Sequence, residues 1–339
     1  MSIQIPDTPI QAEGFYSIPP EYEAALKEAQ TLLAAQLDPA AEADWTDAGV
    51  NADVQLHRKD NPDDAHDIPW VKGVTTVEGA TPEEVLATIQ LPNMRKKWDP
   101  RFELGKPIQR YGPQSYLFYS VMKSPSYFIW ARDIGGVQRN VYGSPSAGDI
   151  TILQKSVDNQ ELLPDAGSYA KSRTRATVEL SAWVLRAKGA DTEVTYIVKI
   201  HLNGLIPTSV VSLISTETPM CVGRVRDTFY TTGFAPYDVH NTIGSERKTI
   251  NATAEFEDGD GSVVTGGERV WTGFYLSKGE DAFTIRYDKK RMYPDGVQVV
   301  VQGDAKADVS AQVDGDELVK VDVKPGSEGK TFQVVITPK

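Results

Sequence analysis

The stretch Ser181–Ala182–Trp183–Val184–Leu185, followed by Val194–Thr195–Tyr196–Ile197–Val198 and then by Leu205–Ile206–Pro207 ahead of a helical segment, decides the fold. Two runs rich in β-branched and aromatic residues read as strands, and a proline opening a periodic apolar segment reads as a helix start. A strand, a second strand and a helix in that order are the parts of a hollow sheet that grips one helix. The chain therefore points to a cavity before it points to any chemistry.

Working outward, five strand-like runs are predicted at 115–122, 127–138, 149–156, 173–186 and 192–202, separated by Gly, Pro and Ser turns. Alternation along each run defines an inner face. In the fourth run Ala176, Val178, Leu180 and Val184 share one side, with Arg175, Thr177, Glu179 and Ser181 on the other. In the fifth, Val194, Tyr196, Val198 and Ile200 share a face. From Ile206 to Tyr230 the spacing of Val210, Leu213, Ile214, Cys221 and Val225 is helical, and Pro219 predicts a kink or a break.

Upstream, Tyr22, Ala25, Leu26, Ala29, Leu32, Leu33 and Leu37 recur at three- and four-residue steps, predicting a helix that ends before Pro39. The acidic stretch from Asp38 to Asp67 reads as surface loops with one edge strand near Val54–His57. Residues 70–78 read as a strand. Thr81–Pro82–Glu83–Glu84 then reads as a capped helix start, and that helix stops before Pro92. Beyond Gly233–Phe234–Ala235–Pro236, seven short strand-like runs with no helical period argue for an independent β-sandwich of immunoglobulin-like type. The fold class is α+β followed by all-β. The expected domains are residues 1–236 and 237–339, in keeping with a length of 339 residues that exceeds one ordinary core.

Composition excludes several classes. With 40% hydrophobic, 9% aromatic and 24% charged residues, neither wholesale disorder nor a membrane protein fits. No apolar stretch approaches the roughly 20 residues needed to span a bilayer. The start has no basic region followed by an apolar one, and the single cysteine, Cys221, leaves no internal disulfide, so a cytoplasmic location is expected. The net charge of −12 is concentrated in residues 1–67, where 14 acidic residues face 3 basic ones. Residues 68–239 carry 19 basic against 16 acidic residues. That slight excess suits transient contact with an anionic membrane surface, but it lacks the dense basic cluster of a nucleic-acid groove.

Four histidines, His57, His66, His201 and His240, lie in separate segments without ligand spacing, so no metal is expected. No nucleophile elbow, phosphate-binding loop or dinucleotide fingerprint occurs, and no cofactor is expected. His201, Glu179 and Glu217 are the acid–base candidates, but alternation sends the first two outward.

The middle of the chain resembles a START domain, the lipid-transfer family with a helix-grip fold. The resemblance rests on Arg95–Lys96–Lys97–Trp98–Asp99 after a short helix, Trp130–Ala131–Arg132–Asp133 in a strand, Arg175–Ala176 running into Ser181–Ala182–Trp183–Val184, and Leu205–Ile206–Pro207 before the last helix. It spans roughly residues 20–233 and none of the C-terminal 100. It implies a curved antiparallel sheet around a tunnel, closed by the last long helix and holding one lipid such as a sterol, fatty acid or phospholipid. It also implies noncatalytic binding and intermembrane transfer, with an enzyme of the cyclase or hydrolase type as the alternative.

The resemblance places Arg132 inside the tunnel on a face with Phe128 and Trp130. Its partner there is a ligand phosphate, a ligand carboxylate or Glu217, unless it is bound by Asp133 or backbone at the rim. The neighbouring strand offers Phe118 and Ser120 to the lining and no carboxylate. Val178, Leu180, Tyr196 and Val198 line the sheet, and Ile206, Val210, Leu213 and Ile214 line the closing helix. Leu162 and Leu163 fall in a loop, Leu162–Gly167, that the resemblance makes a lid with exposed leucines. Protein partners, if any, would be met by the C-terminal sandwich.

Overall fold

After Pro19, the chain forms helix α1 (Pro20–Leu37), whose buried stripe is Tyr22, Leu26, Ala29 and Leu33. Proline at the first helical position needs no amide partner there. The helix ends as Asp38 turns extended ahead of Pro39, and the Asp38 side chain accepts from the Ala40 amide at 2.8 Å. The computed structural model describes residues 15–125, 129–143, 148–163, 173–204, 206–240, 247–258 and 269–339. Phe128, Leu205 and the loop residues Pro164–Gly167 lie outside the described residues.

The segment expected to hold one edge strand holds two. Strand β1 (Thr46–Asn51) and strand β2 (Val54–Lys59) form a hairpin through Ala52 and Asp53, both at positive φ. Every residue of β1 is exposed, so it has no alternation to read. β2 buries Val54 and Leu56 on one face. Strand β3 (Trp70–Val77) is followed by helices α2 (Pro82–Gln90) and α3 (Pro92–Trp98).

Next comes strand β4 (Phe102–Arg110), which sequence alternation missed. It carries Gly105 and Pro107 and two register shifts, and it forms an edge of the sheet, where proline is tolerated. Then follow β5 (Ser115–Met122), β6 (Ala131–Tyr142), β7 (Ile150–Ser156), the short β8 (Arg173–Arg175), β9 (Thr177–Lys188) and β10 (Asp191–His201). The sheet runs β1-β2-β3-β10-β9-β7-β6-β5-β4, with β8 paired parallel to β6. Helices α4 (Thr208–Glu217) and α5 (Cys221–Thr231) follow, so Pro219 falls in a true break.

The described chain divides into two compact units. One is Ser17–Pro82 with Trp98–Asp227, and the other is Glu83–Lys97 with Thr228–Lys339. This differs from a boundary at residue 236. The helical stretch Glu83–Lys97 joins the second unit because Met94 is fully buried in the same core as Phe256, Trp271 and Tyr293. Asn93 Nδ2 donates to Phe256 O at 2.7 Å, and Arg286 pairs with Glu84 at 2.8 Å.

In the second unit, β11 (Tyr237–Asp238), β14 (Asp281–Arg286), β17 (Leu318–Val323) and β16 (Val309–Asp314) form one antiparallel sheet. β12 (Thr249–Glu257), β13 (Val270–Ser277), β18 (Thr331–Pro338) and β15 (Val297–Gln302) form the other. Tyr275 and Phe332 from one sheet share a core with Phe283 and Val319 from the other, which makes the unit a β-sandwich. The Tyr275 hydroxyl donates to Asp238 at 2.6 Å, and Arg247 pairs with Asp238 at 2.9 Å while lying over the Phe283 ring.

Candidate functional site

Gly73 on β3 identifies the face of the ten-stranded sheet that the C-terminal helices cover. A Cβ there would lie 2.2 Å from Pro219 O, so the strand and the α4–α5 break meet backbone to backbone. Two same-face neighbours agree. Arg226 of α5 donates to Thr75 Oγ1 at 3.1 Å, and a Cβ on Gly223 of α5 would lie 2.7 Å from Val54. Gly73 pairs with Tyr196, Tyr196 with Trp183, and Trp183 with Ile152, so all of these face α4 and α5. Tyr196 and Trp183 stack with centroids 4.0 Å apart, and Trp98 meets Trp183 edge-on.

Helix α1 covers the opposite face. Tyr22 and Leu26 pack with Leu117, Tyr119, Val121 and Val137, while Ala29 and Leu33 pack with Leu153, Leu180, Ala182, Val184 and Ile197. Asp133 is a buried charge on this side, as are Lys72 and Lys199. Asp133 accepts two hydrogen bonds from Arg175, at 3.0 and 3.1 Å, and one from Tyr119 at 2.8 Å. Burial and the adjacent Asp133 carboxylate push the Tyr119 pKa up.

Against this frame of two faces, the expected lining residues separate. Phe118 and Val178 come together with Ile134 and Ala176, and Ser120 follows Phe118 by two along β5 onto the same face. Tyr196 and Val198 lie on that face of β10. Ile206, Val210 and Ile214 pack with Ile68, Ile129 and Leu202, and Ile200 touches both this group and the Phe118 group. Leu180 belongs instead to the α1 side. The register shifts between Lys199 and Ile200, leaving Glu179 as the extra residue on β9. That bulge reverses the alternation, so Val178 faces α4 and α5 while Leu180 faces α1.

Other expectations are corrected. Leu163 is buried and Leu162 packs beside it in the Tyr22 group, so neither leucine is an exposed lid tip. Gly135 makes room for them, since a Cβ there would lie 2.5 Å from Leu163 Cδ1. Trp130 is 58% exposed and Leu213 37%. Of the partners expected for Arg132, backbone is the one found, and neither Asp133 nor Glu217 meets it. Its guanidinium donates to the carbonyls of Leu202 at 2.8 Å, Asn203 at 3.1 Å and Trp130, tying β6 to the chain leaving β10. Burial lowers its pKa. Glu217 accepts from Arg101 Nε at 2.7 Å. His201 lies between Glu179 at 3.1 Å and Asp67 at 3.3 Å.

A row of polar side chains that the sequence reading did not single out crosses the α4–α5 face. Register pairs join Arg110 to Tyr116, Tyr116 to Gln138, Gln138 to Gln154, and Gln154 to Ser181. The amides and hydroxyls bond along it. Gln154 donates to Gln138 Oε1 at 2.7 Å, Ser181 donates to Gln154 Oε1 at 2.9 Å, and the Ser181 and Tyr196 hydroxyls are 3.3 Å apart. Gln138 also donates to Asn140 Oδ1 at 3.0 Å. Such a chain satisfies neutral groups in a buried setting. Ser120 Oγ and Arg110 Nε are buried without a hydrogen-bond partner. The glutamines were legible as the polar members of alternating runs, whereas Arg110 lay in a strand that alternation did not reveal.

Among the described residues no helix is long and apolar enough to cross a membrane, and no group of three or more His, Cys, Asp or Glu could hold a metal ion. The family model for the START domain matches residues 27–230, more than half of the chain. No curated protein matches it. Among solved structures, human StAR-related lipid transfer protein 5 aligns with a TM-score of 0.52 at 17% identity, covering 60% of this chain and 94% of that one. The crystal structure of human STARD10 aligns with a TM-score of 0.51 at 16% identity, covering 63% of this chain and 80% of that one. At these identities the likeness is one of fold.

Proposed function

Because this chain belongs to the START domain family, we propose that it binds one hydrophobic molecule, a lipid, between the α4–α5 face of its large sheet and those helices, and carries it between membranes without chemical change. The observation that supports this reading most is the difference between the two sides of the sheet. On the α4–α5 side Phe118, Ile134 and Val178 lie beside Ser120 Oγ and the guanidinium of Arg110, which has no counter-ion among the described residues, whereas Trp45 Nε1 and Gln36 Oε1, buried without a partner on the α1 side, are neutral. Apolar walls supply affinity in proportion to chain length, at about 0.8 kcal/mol per buried methylene. The acid–base candidates do not favour catalysis, since His201 and Glu179 contact each other at 3.1 Å and Glu217 is paired with Arg101, each held by another protein side chain.

Native mass spectrometry of the purified full chain, followed by organic extraction, tests the binding step, and transfer of a labelled lipid from donor to acceptor vesicles tests the carrying step. One lipid per chain, recovered unaltered, with protein-dependent transfer is the expected result. A chain that takes up no sterol, fatty acid or phospholipid, or that returns an altered molecule, overturns the proposal.

A further inference from the structure

The arginines of the first unit are matched to acceptors with one exception. Arg175 has Asp133, Arg139 has Glu23, Arg101 has Glu217 and Arg132 has three carbonyls. Arg110 ends β4 opposite Tyr116, with its guanidinium carbon 5.0 Å from the centroid of that ring. Among the described residues that ring is its only partner, and its buried Nε has no acceptor. Tyr116 packs against the Phe118 group, so Arg110 stands on the α4–α5 face at the end of the polar row.

A guanidinium does not escape burial by losing its proton. Burial lowers the Arg110 pKa, with a small opposing effect from Tyr116, but the group stays charged at neutral pH. Arg110 is half-buried and its Nε is fully buried, so this part of the cation is cut off from water with no bond to replace it, and stacking on one ring offsets only part of that cost. The missing counterpart is an acceptor with several lone pairs. A carboxylate or a phosphate fits the forked donors of arginine and gains charge-assisted bonds on a face where water competes poorly. Beyond Tyr116 the row continues as the neutral amides of Gln138 and Gln154, which add no competing negative charge.

Resting on the lipid-binding reading above, we propose that Arg110 anchors the oxyanion, carboxylate or phosphate, of an amphiphilic ligand whose apolar chain lies along Phe118 and Val178. The test uses four probes on the full chain stripped of bound lipid: hexadecanoate, hexadecyl phosphate, hexadecanol and inorganic phosphate. Wild type is expected to hold at least one of the two charged amphiphiles at least about tenfold more tightly than hexadecanol or inorganic phosphate. The tighter of the two identifies the anion. Arg110→Leu should remove that advantage while leaving hexadecanol binding within about twofold.

Equal losses for all three amphiphiles in Arg110→Leu, or no loss, overturn the proposal. So does inorganic phosphate binding as tightly as hexadecyl phosphate. Wild type that prefers hexadecanol overturns the anion assignment and leaves lipid binding standing, whereas wild type that binds none of the amphiphiles overturns both. The thermal midpoint of ligand-free Arg110→Leu gives a second readout. It should equal or exceed that of wild type, and a fall would mean that Arg110 supports the fold, which also defeats the proposal.

Discussion

On the α1 side of the large sheet, Leu117, Val137, Leu180 and Ile197 meet Tyr22, Leu26, Ala29 and Leu33, and the buried carboxylate of Asp133 is bound by Arg175 and Tyr119. On the α4–α5 side, Phe118, Ile134 and Val178 share a face with Ser120 and Arg110, whose buried polar atoms have no partner. The same strands supply both faces, because alternate residues point opposite ways. The α1 face holds the Asp133 charge in a closed set of bonds, and its Trp45 and Gln36 atoms without a partner are neutral. The other face keeps Ser120 and Arg110 polar atoms without a partner, and the proposed ligand would supply one.

Substitutions on the two faces should therefore have unequal effects on stability. The largest loss is expected for Asp133→Ala, which takes from Arg175 and the Tyr119 hydroxyl the buried carboxylate they share on the α1 face. Removing one member of a buried, hydrogen-bonded ion pair costs about 3–5 kcal/mol. A shift of the urea midpoint equivalent to less than about 1 kcal/mol would show that this face is not self-sufficient, and the comparison would fail. Next is Gly73→Ala. The added methyl would stand 2.2 Å from Pro219 O, so the helix break must lift from β3 at about 1–3 kcal/mol. Hydrogen exchange in α4 and α5 should rise in this variant while α1 stays protected, and equal exchange in all three helices would break the distinction between the faces.

A smaller, pH-dependent effect sharpens the picture at Asp67. Burial works to raise its pKa, but hydrogen bonds from Lys199 and Asn61 and the nearby charges of Lys199 and His201 outweigh it, and the net shift is downward. A carboxyl with a lowered folded-state pKa adds stability that is complete above its unfolded pKa and is lost as pH falls through the folded value. The contact with Lys199, at 2.6 Å, ties the approach to β3 to β10. Asp67→Asn should be less stable than wild type at pH 7, by about 1 kcal/mol for a pair whose side chains are 7% and 14% exposed, and the difference should shrink as pH falls below the ordinary carboxylate range. A difference that persists at low pH would mean that charge is not the cause.

Much of the fold was legible because its strands alternate. Ser115–Met122 and Val297–Gln302 read from sequence with the bounds the structure gives, and Pro219 marked the break between α4 and α5. The rest failed for identifiable reasons. β1 is exposed throughout, so no hydrophobic pattern exists to find. β4 contains Pro107 and two register shifts, which erase the period-two signal. The bulge at Glu179 inverts the face of everything before it on β9, so Leu180 was assigned to the wrong side by a rule that holds only between bulges. The site was half legible. Phe118 and Tyr196 follow from alternation, but Arg132 binds backbone carbonyls that belong to no motif, and Arg110 becomes meaningful only when β4 is paired with Tyr116.

The smallest expected effect is the one that separates the faces most directly. Ser120 is 3% exposed and its hydroxyl lacks a partner, so in the absence of ligand the group carries a desolvation cost with no bond to offset it. Ser120→Ala removes that cost and leaves no cavity larger than an oxygen atom. Its urea midpoint should match wild type or rise by the equivalent of about 0.5–1 kcal/mol. The same change at Ser327, whose hydroxyl bonds Ser277 at 2.7 Å and the Lys324 carbonyl at 2.6 Å, should lower stability by about 1 kcal/mol or more. If both serine substitutions destabilise alike, Ser120 is satisfied as fully as Ser327, and the α4–α5 face loses its claim to hold polar groups in reserve for a ligand.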